Sequence, residues 1–263
     1  MTGLPKKRQS ILEVRDVFKS FNGLAVLEGL SLEIERGSTV AIIGGSGCGK
    51  TVLLKHFIGL LKPDSGRVFV DSLDITPLKE HELRAVRRRF GMLFQGSALF
   101  DSLSVEENVA FPLREHTGLS ESEIRKVVEE KLDLVGLPGV LDKYPSELSG
   151  GMKKRVGLAR AIVLGPEVLL YDEPTTGLDP VLADVINELI LKMSRTLAVT
   201  TVLVTHDIKS ACKVADEIAM LHAGRIIEET TPGEIQNSKN PIVRQFILGR
   251  SEAEESLRRE DHP

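Results

Sequence analysis

Residues Gly44-Gly45-Ser46-Gly47-Cys48-Gly49-Lys50-Thr51 spell G-x-x-x-x-G-K-[ST] directly after the apolar run Thr39-Val40-Ala41-Ile42-Ile43. A buried strand, a glycine-rich turn and a helix in that order leave few folds open, because the turn must present successive backbone N–H groups to one small volume. Phosphate oxygens are the chemistry such a nest receives. Lys50 can then reach the β/γ-phosphates, and the Thr51 hydroxyl is placed to hold Mg²⁺ at the head of the helix that Val52-Leu53-Leu54-Lys55 continues. The sequence predicts a nucleoside triphosphate site on an α/β sheet; an ordinary glycine-rich turn is the plainer alternative.

The 263 residues suffice for one domain, or for one domain with a subdomain. With 41% hydrophobic and 27% charged residues the chain has ordinary globular composition. A formal net charge of −4 argues against a general nucleic-acid surface, and the basic runs Lys6-Lys7-Arg8 and Arg87-Arg88-Arg89 read as solvated. Cys48 and Cys212 make no disulfide framework, and a thiol inside the phosphate loop suits a reducing compartment, so a cytoplasmic location is expected. The best apolar stretches, 161–171 and 197–205, fall short of the roughly 18 residues a membrane span needs, and the basic start lacks the apolar run of an export signal. Any role at a membrane then requires a partner.

Alternating apolar residues at 11–15, 26–27 and 30–35, with turns at Asn22-Gly23 and Arg36-Gly37, predict antiparallel strands. A helix to about residue 61, a turn at 62–66, a strand at 67–71, a helix at about 80–88 and a strand at 90–94 should follow. From about 97 to 164 the pattern is helical only, with Ile124, Val127, Val128, Leu132 and Val135 at helical spacing. The β/α alternation returns with a strand at 168–171. A helix then carries Val181, Leu182, Val185, Ile186, Leu189, Ile190 and Met193, and a strand follows at 201–204. A short helix is expected within 241–250 and a charged, frayed tail at 251–263.

Two further segments carry chemistry. Val168-Leu169-Leu170-Tyr171 ends in Asp172-Glu173, which lets Asp172 reach a Mg²⁺ shell and sets Glu173 beside an attacking water, unless the two are merely surface acids at a strand end. Adjacent carboxylates in a partly desolvated site repel, which favours proton uptake by one of them and suits Glu173 to general-base work once a metal holds Asp172 ionised. Leu148-Ser149-Gly150-Gly151-Met152 opens a helix with small residues and free N–H groups, a second anion site without a lysine of its own.

That segment, followed by Arg155 and Leu158-Ala159-Arg160-Ala161, resembles the signature motif of ATP-binding-cassette (ABC) ATPases. The phosphate loop, signature, Asp172-Glu173-Pro174, Gly177-Leu178-Asp179-Pro180 and Val204-Thr205-His206-Asp207 stand in that family's order, and the resemblance covers about residues 11–237. It implies an α/β P-loop NTPase fold of the ABC nucleotide-binding type. The expected parts are a mainly parallel core sheet, an N-terminal antiparallel β subdomain and a helical subdomain inserted at about 97–164. Residues 11–237 would be the ATP-binding domain, and 238–263 a C-terminal extension of short helix plus charged tail.

The resemblance implies ATP and Mg²⁺ and assigns residues to them. Glu173, His206, Gln95 and Lys50 would be catalytic. Gly44, Gly45, Ser46, Gly47, Cys48, Gly49, Lys50, Thr51 and Val52 would cradle the phosphates, while Phe21 would stack on adenine if it is not simply a core or loop phenylalanine. Thr51, Gln95 and Asp172 would hold the metal. Gln95 would also touch the attacking water, and His206 would bridge the γ-phosphate and Glu173. Ser149, Gly150 and Gly151 would meet the γ-phosphate bound to an opposite protomer, with Asp179 at the same interface, so a head-to-tail, two-fold homodimer is implied.

Met92 to Leu103, Asn108 to His116, Pro145 to Met152 and Val243-Arg244-Gln245-Phe246 are similar to the Mla-type phospholipid transport ATPases of Gram-negative envelopes. The first two stretches lie where ABC subunits dock the coupling helix of a permease. The implied partners are integral-membrane permease subunits, a lipid-binding Mce-type protein and a small STAS-type subunit, with no nucleic acid, at the cytoplasmic face of the inner membrane. Gly45 stands for a frequent proline, Thr51-Val52 for Ser-Thr, Thr175-Thr176-Gly177-Leu178-Asp179 for Thr-Ser-Ala-Leu-Asp, and Thr230 for a frequent glycine; none of these removes a needed group. Two alternatives stay open: a transport motor for an amino acid, metal chelate or lipoprotein, and a non-transport ABC protein acting on DNA or ribosomes.

Overall fold

The computed structural model describes residues 9–249. The basic run at 6–8 and the charged tail at 251–263 lie outside them.

β1 (Ser10–Phe21) and β2 (Leu24–Glu35) form one long antiparallel hairpin from Ser10↔Glu35 to Phe21↔Leu24. Its two-residue turn is Asn22-Gly23 with φ of 50° and 81°, the left-handed pair that matches the twist of the flanking strands. β1 runs six residues beyond the alternation seen at 11–15, because its register shifts between Val14 and Phe18, where Asp16 takes φ 48°. A bulge of this kind slips the inward face by one residue and erases the sequence period.

β3 (Thr39–Ile43) starts the second sheet and leads through the glycine loop into α1 (Lys50–Phe57). The helix stops short of the expected residue 61 because Gly59 turns left-handed at φ 62°, where a Cβ would stand 2.7 Å from Leu83 Cδ2. β4 (Ser65–Val70) and β5 (Leu73–Asp74) extend the first sheet to the order β2-β1-β4-β5. α2 (Glu80–Arg87) and β6 (Phe90–Leu93) return the chain to the second sheet.

Between β6 and β7 (Val168–Asp172) come α3 (Val105–His116), α4 (Glu121–Leu134) and α5 (Gly150–Ile162). Ser104 with Glu107 and Ser120 with Glu123 form capping boxes that fix where α3 and α4 begin. α6 (Pro180–Leu197), β8 (Thr200–Thr205), α7 (Ile208–Val214), β9 (Glu217–His222), β10 (Arg225–Thr230) and α8 (Pro241–Leu248) complete the described chain. α7 and the β9–β10 hairpin have no counterpart in the sequence reading.

The second sheet runs β10-β9-β3-β8-β7-β6, parallel except for β10. β3, β7 and β8 are buried on both faces, and alternate residues serve different cores. Val40, Ile42, Leu170, Val202 and Val204 face the N-terminal sheet and α1. Ala41, Ile43, Tyr171 and Leu203 face a core shared with Val109, Val128, Leu132 and Val156 of the inserted helices. The helices therefore have no separate core; a shift of α5 is felt at the sheet.

Arg36, Asp71, Arg89 and Glu167 tie the start of β7 to the ends of β2 and β4, with Arg89 Nε to Glu167 Oε1 at 2.7 Å and Arg36 Nη1 to Glu167 Oε2 at 2.9 Å. The hydrogen bond from Arg89, with a second from Arg36, pulls the Glu167 carboxyl down to about 2. A depressed folded-state value stabilises above the ordinary glutamate range and loses that stabilisation as pH falls toward the folded value. The denaturation midpoint of Glu167→Gln should thus drop less than that of the parent chain between pH 6 and pH 3. Glu167 is 42% exposed, so the difference should stay within about 1 kcal/mol.

Candidate functional site

The phosphate loop is shaped by close approach. At Gly44 a Cβ would stand 2.3 Å from Leu221 O, and Gly49, at φ 109°, precedes α1 where a Cβ would meet Leu27 Cδ2 at 2.9 Å. No side chain caps α1 and its first turn holds no acid, so the positive end of the helix faces an open cleft. Lys50 folds back over the loop, donating from Nζ to Gly44 O at 2.8 Å and Gly45 O at 2.9 Å.

Opposite stands the end of β7. Thr51 Oγ1 donates to Asp172 Oδ1 at 2.9 Å. Burial pushes the Asp172 carboxyl up, the Thr51 hydrogen bond opposes that, and the charge of Glu173 adds to it. Both effects expected of adjacent acids in a partly desolvated site are present, with desolvation larger than the repulsion from Glu173, and the rise falls on Asp172. Glu173 leaves the strand at φ 48°, its N–H held by Val204 O at 2.9 Å. That sharp exit turns the carboxylate back toward the loop, where Lys50 Nζ lies 3.4 Å from Oε1. Thr176 Oγ1 donates to Glu173 Oε2 at 3.2 Å, and His206 Nδ1 lies 2.9 Å from the same oxygen. The His206 side chain is 52% exposed, so the ring links a buried acid to the open cleft.

Ser46, Gly47, Gly49, Lys50, Thr51, Val52, Gln95, Glu173 and His206 share one cleft of about 510 Å³. Gly44, Gly45 and Cys48 shape the loop without lining it. Phe21, Ser149, Gly150, Gly151 and Asp179 also lie outside its lining: Phe21 ends β1, half-exposed, with Lys19 Nζ 5.4 Å from its ring centre. Ser149 caps α5, accepting from Met152 N at 3.3 Å, and Asp179 caps α6 by accepting from Val181 N and Leu182 N.

Three residues of the site escaped the sequence reading. Val26 lines the cleft because β2 packs on the loop, with Val26 Cγ1 3.3 Å from the Cβ position of Gly49. Thr176 enters through the turn after Glu173. Lys154, buried in α5, donates to Gln95 O and reaches Glu173 O at 3.5 Å; burial lowers its ammonium pKa, and the charges of Asp172 and Glu173 oppose that. No spacing in the sequence marks it.

Thr51, which lines the cleft, and Asp172, just outside its lining, bring two hard oxygens within 2.9 Å of each other. Mg²⁺ is commonly held by one or two protein oxygens, the rest coming from water and substrate phosphates, so this donor pair fits it. No group of three or more metal-ligating acids, histidines or cysteines occurs among the described residues, and the protein offers no closed cage of its own.

The ABC transporter family profile matches residues 27–176. The intermembrane phospholipid transport system ATP-binding protein MlaF of Haemophilus influenzae is 42% identical over 244 residues, covering 93% of this chain and 92% of its own. The probable ribonucleotide transport ATP-binding protein mkl of Mycobacterium leprae is 44% identical over 91% of this chain and 69% of its own. Among solved structures, the ATP-binding cassette MJ0796, a dimer bound to ADP and phosphate after hydrolysis, superposes with a TM-score of 0.79. It is 32% identical, and the match covers 84% of this chain and 99% of that one.

Proposed function

The chain belongs to the ABC transporter family as an ATP-hydrolysing, ATP-binding subunit, and from that premise we propose that its transporter moves phospholipid between the membranes of a Gram-negative-type envelope. The similarity to MlaF carries the reading. That protein is 42% identical over 244 residues, and the match covers 93% of this chain. No helix among the described residues is long and apolar enough to cross a membrane. Permease subunits would therefore hold this chain at the cytoplasmic face of the inner membrane, with a lipid-binding Mce-type protein and a small STAS-type subunit completing the assembly.

The residues divide the work as follows. Phosphates entering at the N-terminus of α1 take Lys50 Nζ from the carbonyls of Gly44 and Gly45, exchanging two neutral acceptors for charged ones. Phe21 stacks on adenine from the end of β1. Glu173 takes a proton from the attacking water, with His206 and Thr176 fixing the carboxylate through Oε2, and Gln95 contacts that water from the end of β6. Thr51, Asp172 and Gln95 would hold Mg²⁺, which when bound would neutralise charge on the phosphates. Ser149, Gly150, Gly151 and Asp179, outside the cleft of their own chain, complete the site of a second copy. On this reading residues 11–237 are the ATP-binding domain, with its helical subdomain at about 97–164, and the extension begins at 238.

The loop after β6 and the middle of α3 expose Phe100 and Phe111, 45% and 41% accessible, with ring centres 5.3 Å apart. We assign this pair to the permease. Phe111→Asp should lower recovery of the chain with membranes several-fold while nucleotide affinity stays unchanged, because the side chain is not part of the cleft lining. Sedimentation of membranes and nucleotide titration read the two effects; normal membrane recovery excludes this surface.

Affinity isolation of the intact membrane complex, with identification of its subunits and bound lipid, tests the proposal. Phospholipid bound beside a permease and an Mce-type subunit is expected. The 44% identity to mkl favours a second reading, a motor for another cargo, for which the same isolation yields a permease without bound phospholipid.

A further inference from the structure

α5 holds the segment leaving β6 by its backbone. Gly157 lies so close to it that a Cβ would stand 2.8 Å from Leu93 Cδ1 and 3.3 Å from Ser97 O. Arg160 donates to Ser97 O and Ala98 O, each at 2.8 Å. Both acceptor residues are left-handed, with φ of 62° and 48°. Residues other than glycine hold that conformation at about 1 kcal/mol or more each, and only where their surroundings over-determine it.

Lys154 sits nearly two turns before Arg160 on the same helix and is 5% exposed. Its Nζ donates to Gln95 O and reaches Glu173 O at 3.5 Å. A buried ammonium is unfavourable unless hydrogen bonds replace water, and an apolar side chain of similar volume fills a core position at lower cost. Packing alone therefore does not account for a lysine here. Its two acceptors belong to residues at the ends of β6 and β7, both lining the ATP cleft.

We propose that Lys154 is a positioning residue for ATP hydrolysis: it fixes the main chain of Gln95 and Glu173 to α5, so that the helix whose first turn follows Ser149 cannot shift without moving both. The inference rests on the roles given above to Gln95 and Glu173. The phosphate loop, which binds the nucleotide, makes no hydrogen bond to Lys154. Turnover should depend on Lys154 and nucleotide affinity should not.

The test is Lys154→Met, which keeps the apolar stem, with Lys154→Arg as the conservative variant, both in the full-length chain within its membrane complex. Lys154→Met should lower kcat about 10- to 100-fold, the effect expected when a reacting group moves by a fraction of an ångström to one ångström. KM for ATP should stay within about threefold, and Lys154→Arg should recover most of the rate. Wild-type kcat in Lys154→Met overturns the proposal. Should Lys154→Met not fold, Lys154→Gln decides: a lowered kcat at unchanged KM and melting temperature supports positioning, whereas a rate that falls only with the folded fraction overturns it. Glu173→Gln in parallel separates the two levels. If it retains turnover, the base assignment fails; if it is inactive while Lys154→Met is fully active, the Lys154 linkage alone fails.

Discussion

Glu173→Gln should bind ATP as the parent chain does and hydrolyse it about 10²- to 10⁴-fold more slowly, the usual loss when one general base is removed. The substitution keeps the shape of the side chain and an oxygen that can accept from Thr176 Oγ1 and His206. It removes the capacity to take a proton and the negative charge beside Lys50 Nζ, 3.4 Å away. Nucleotide affinity should hold or rise, because a carboxylate no longer competes with phosphate for the ammonium. Steady-state hydrolysis in the native complex, with nucleotide titration on the same preparation, gives both numbers. Turnover at the wild-type rate removes Glu173 from its assigned role.

The second large effect concerns sites built from two chains. Lys50→Ala deletes a charge-assisted donor worth about 1.5–3 kcal/mol, so ATP binding should weaken on the order of 10- to 100-fold. Ser149→Asp keeps a good helix cap for α5 but sets a negative charge where the γ-phosphate of a partner would arrive. Each variant alone should be inactive. Mixed with subunit exchange, about half the dimers carry one defect per chain, and in these both defects share one composite site while the other is intact. Activity should therefore return to about a quarter of the wild-type value, provided one intact site suffices. Cysteines placed at Ser46 and Ser149 should crosslink between chains when ATP is present. Exchange without recovery, or crosslinks confined to one chain, contradicts the head-to-tail arrangement.

How much of this was legible in the sequence follows from what each feature depends on. The phosphate loop, the Asp172-Glu173 pair and His206 lie at strand ends, where local spacing and type carry the chemistry; Lys50, Thr51, Glu173 and His206 line one cleft, and Asp172 stands behind Thr51 at its edge. Where β1 bulges at Asp16 the alternation broke, and the strand was read six residues short. The β9–β10 hairpin rests on a short apolar run, Ile218 to Leu221, that has no period of its own and is fixed by pairing with β3. Val26 and Lys154 join the site through packing between segments distant in sequence, which no motif encodes. The rise in the Asp172 pKa comes mainly from burial, a property of the folded sheet rather than of two adjacent letters.

The most direct test is transport itself. The complex isolated through this chain, reconstituted into proteoliposomes, should transfer labelled phospholipid to acceptor vesicles or to its lipid-binding partner in an ATP-dependent manner. With Glu173→Gln in the complex, transfer and hydrolysis should be lost together. Brisk ATP hydrolysis by the wild-type complex with no movement of phospholipid, and stimulation instead by an amino acid, nucleotide or other soluble cargo, would contradict the assignment.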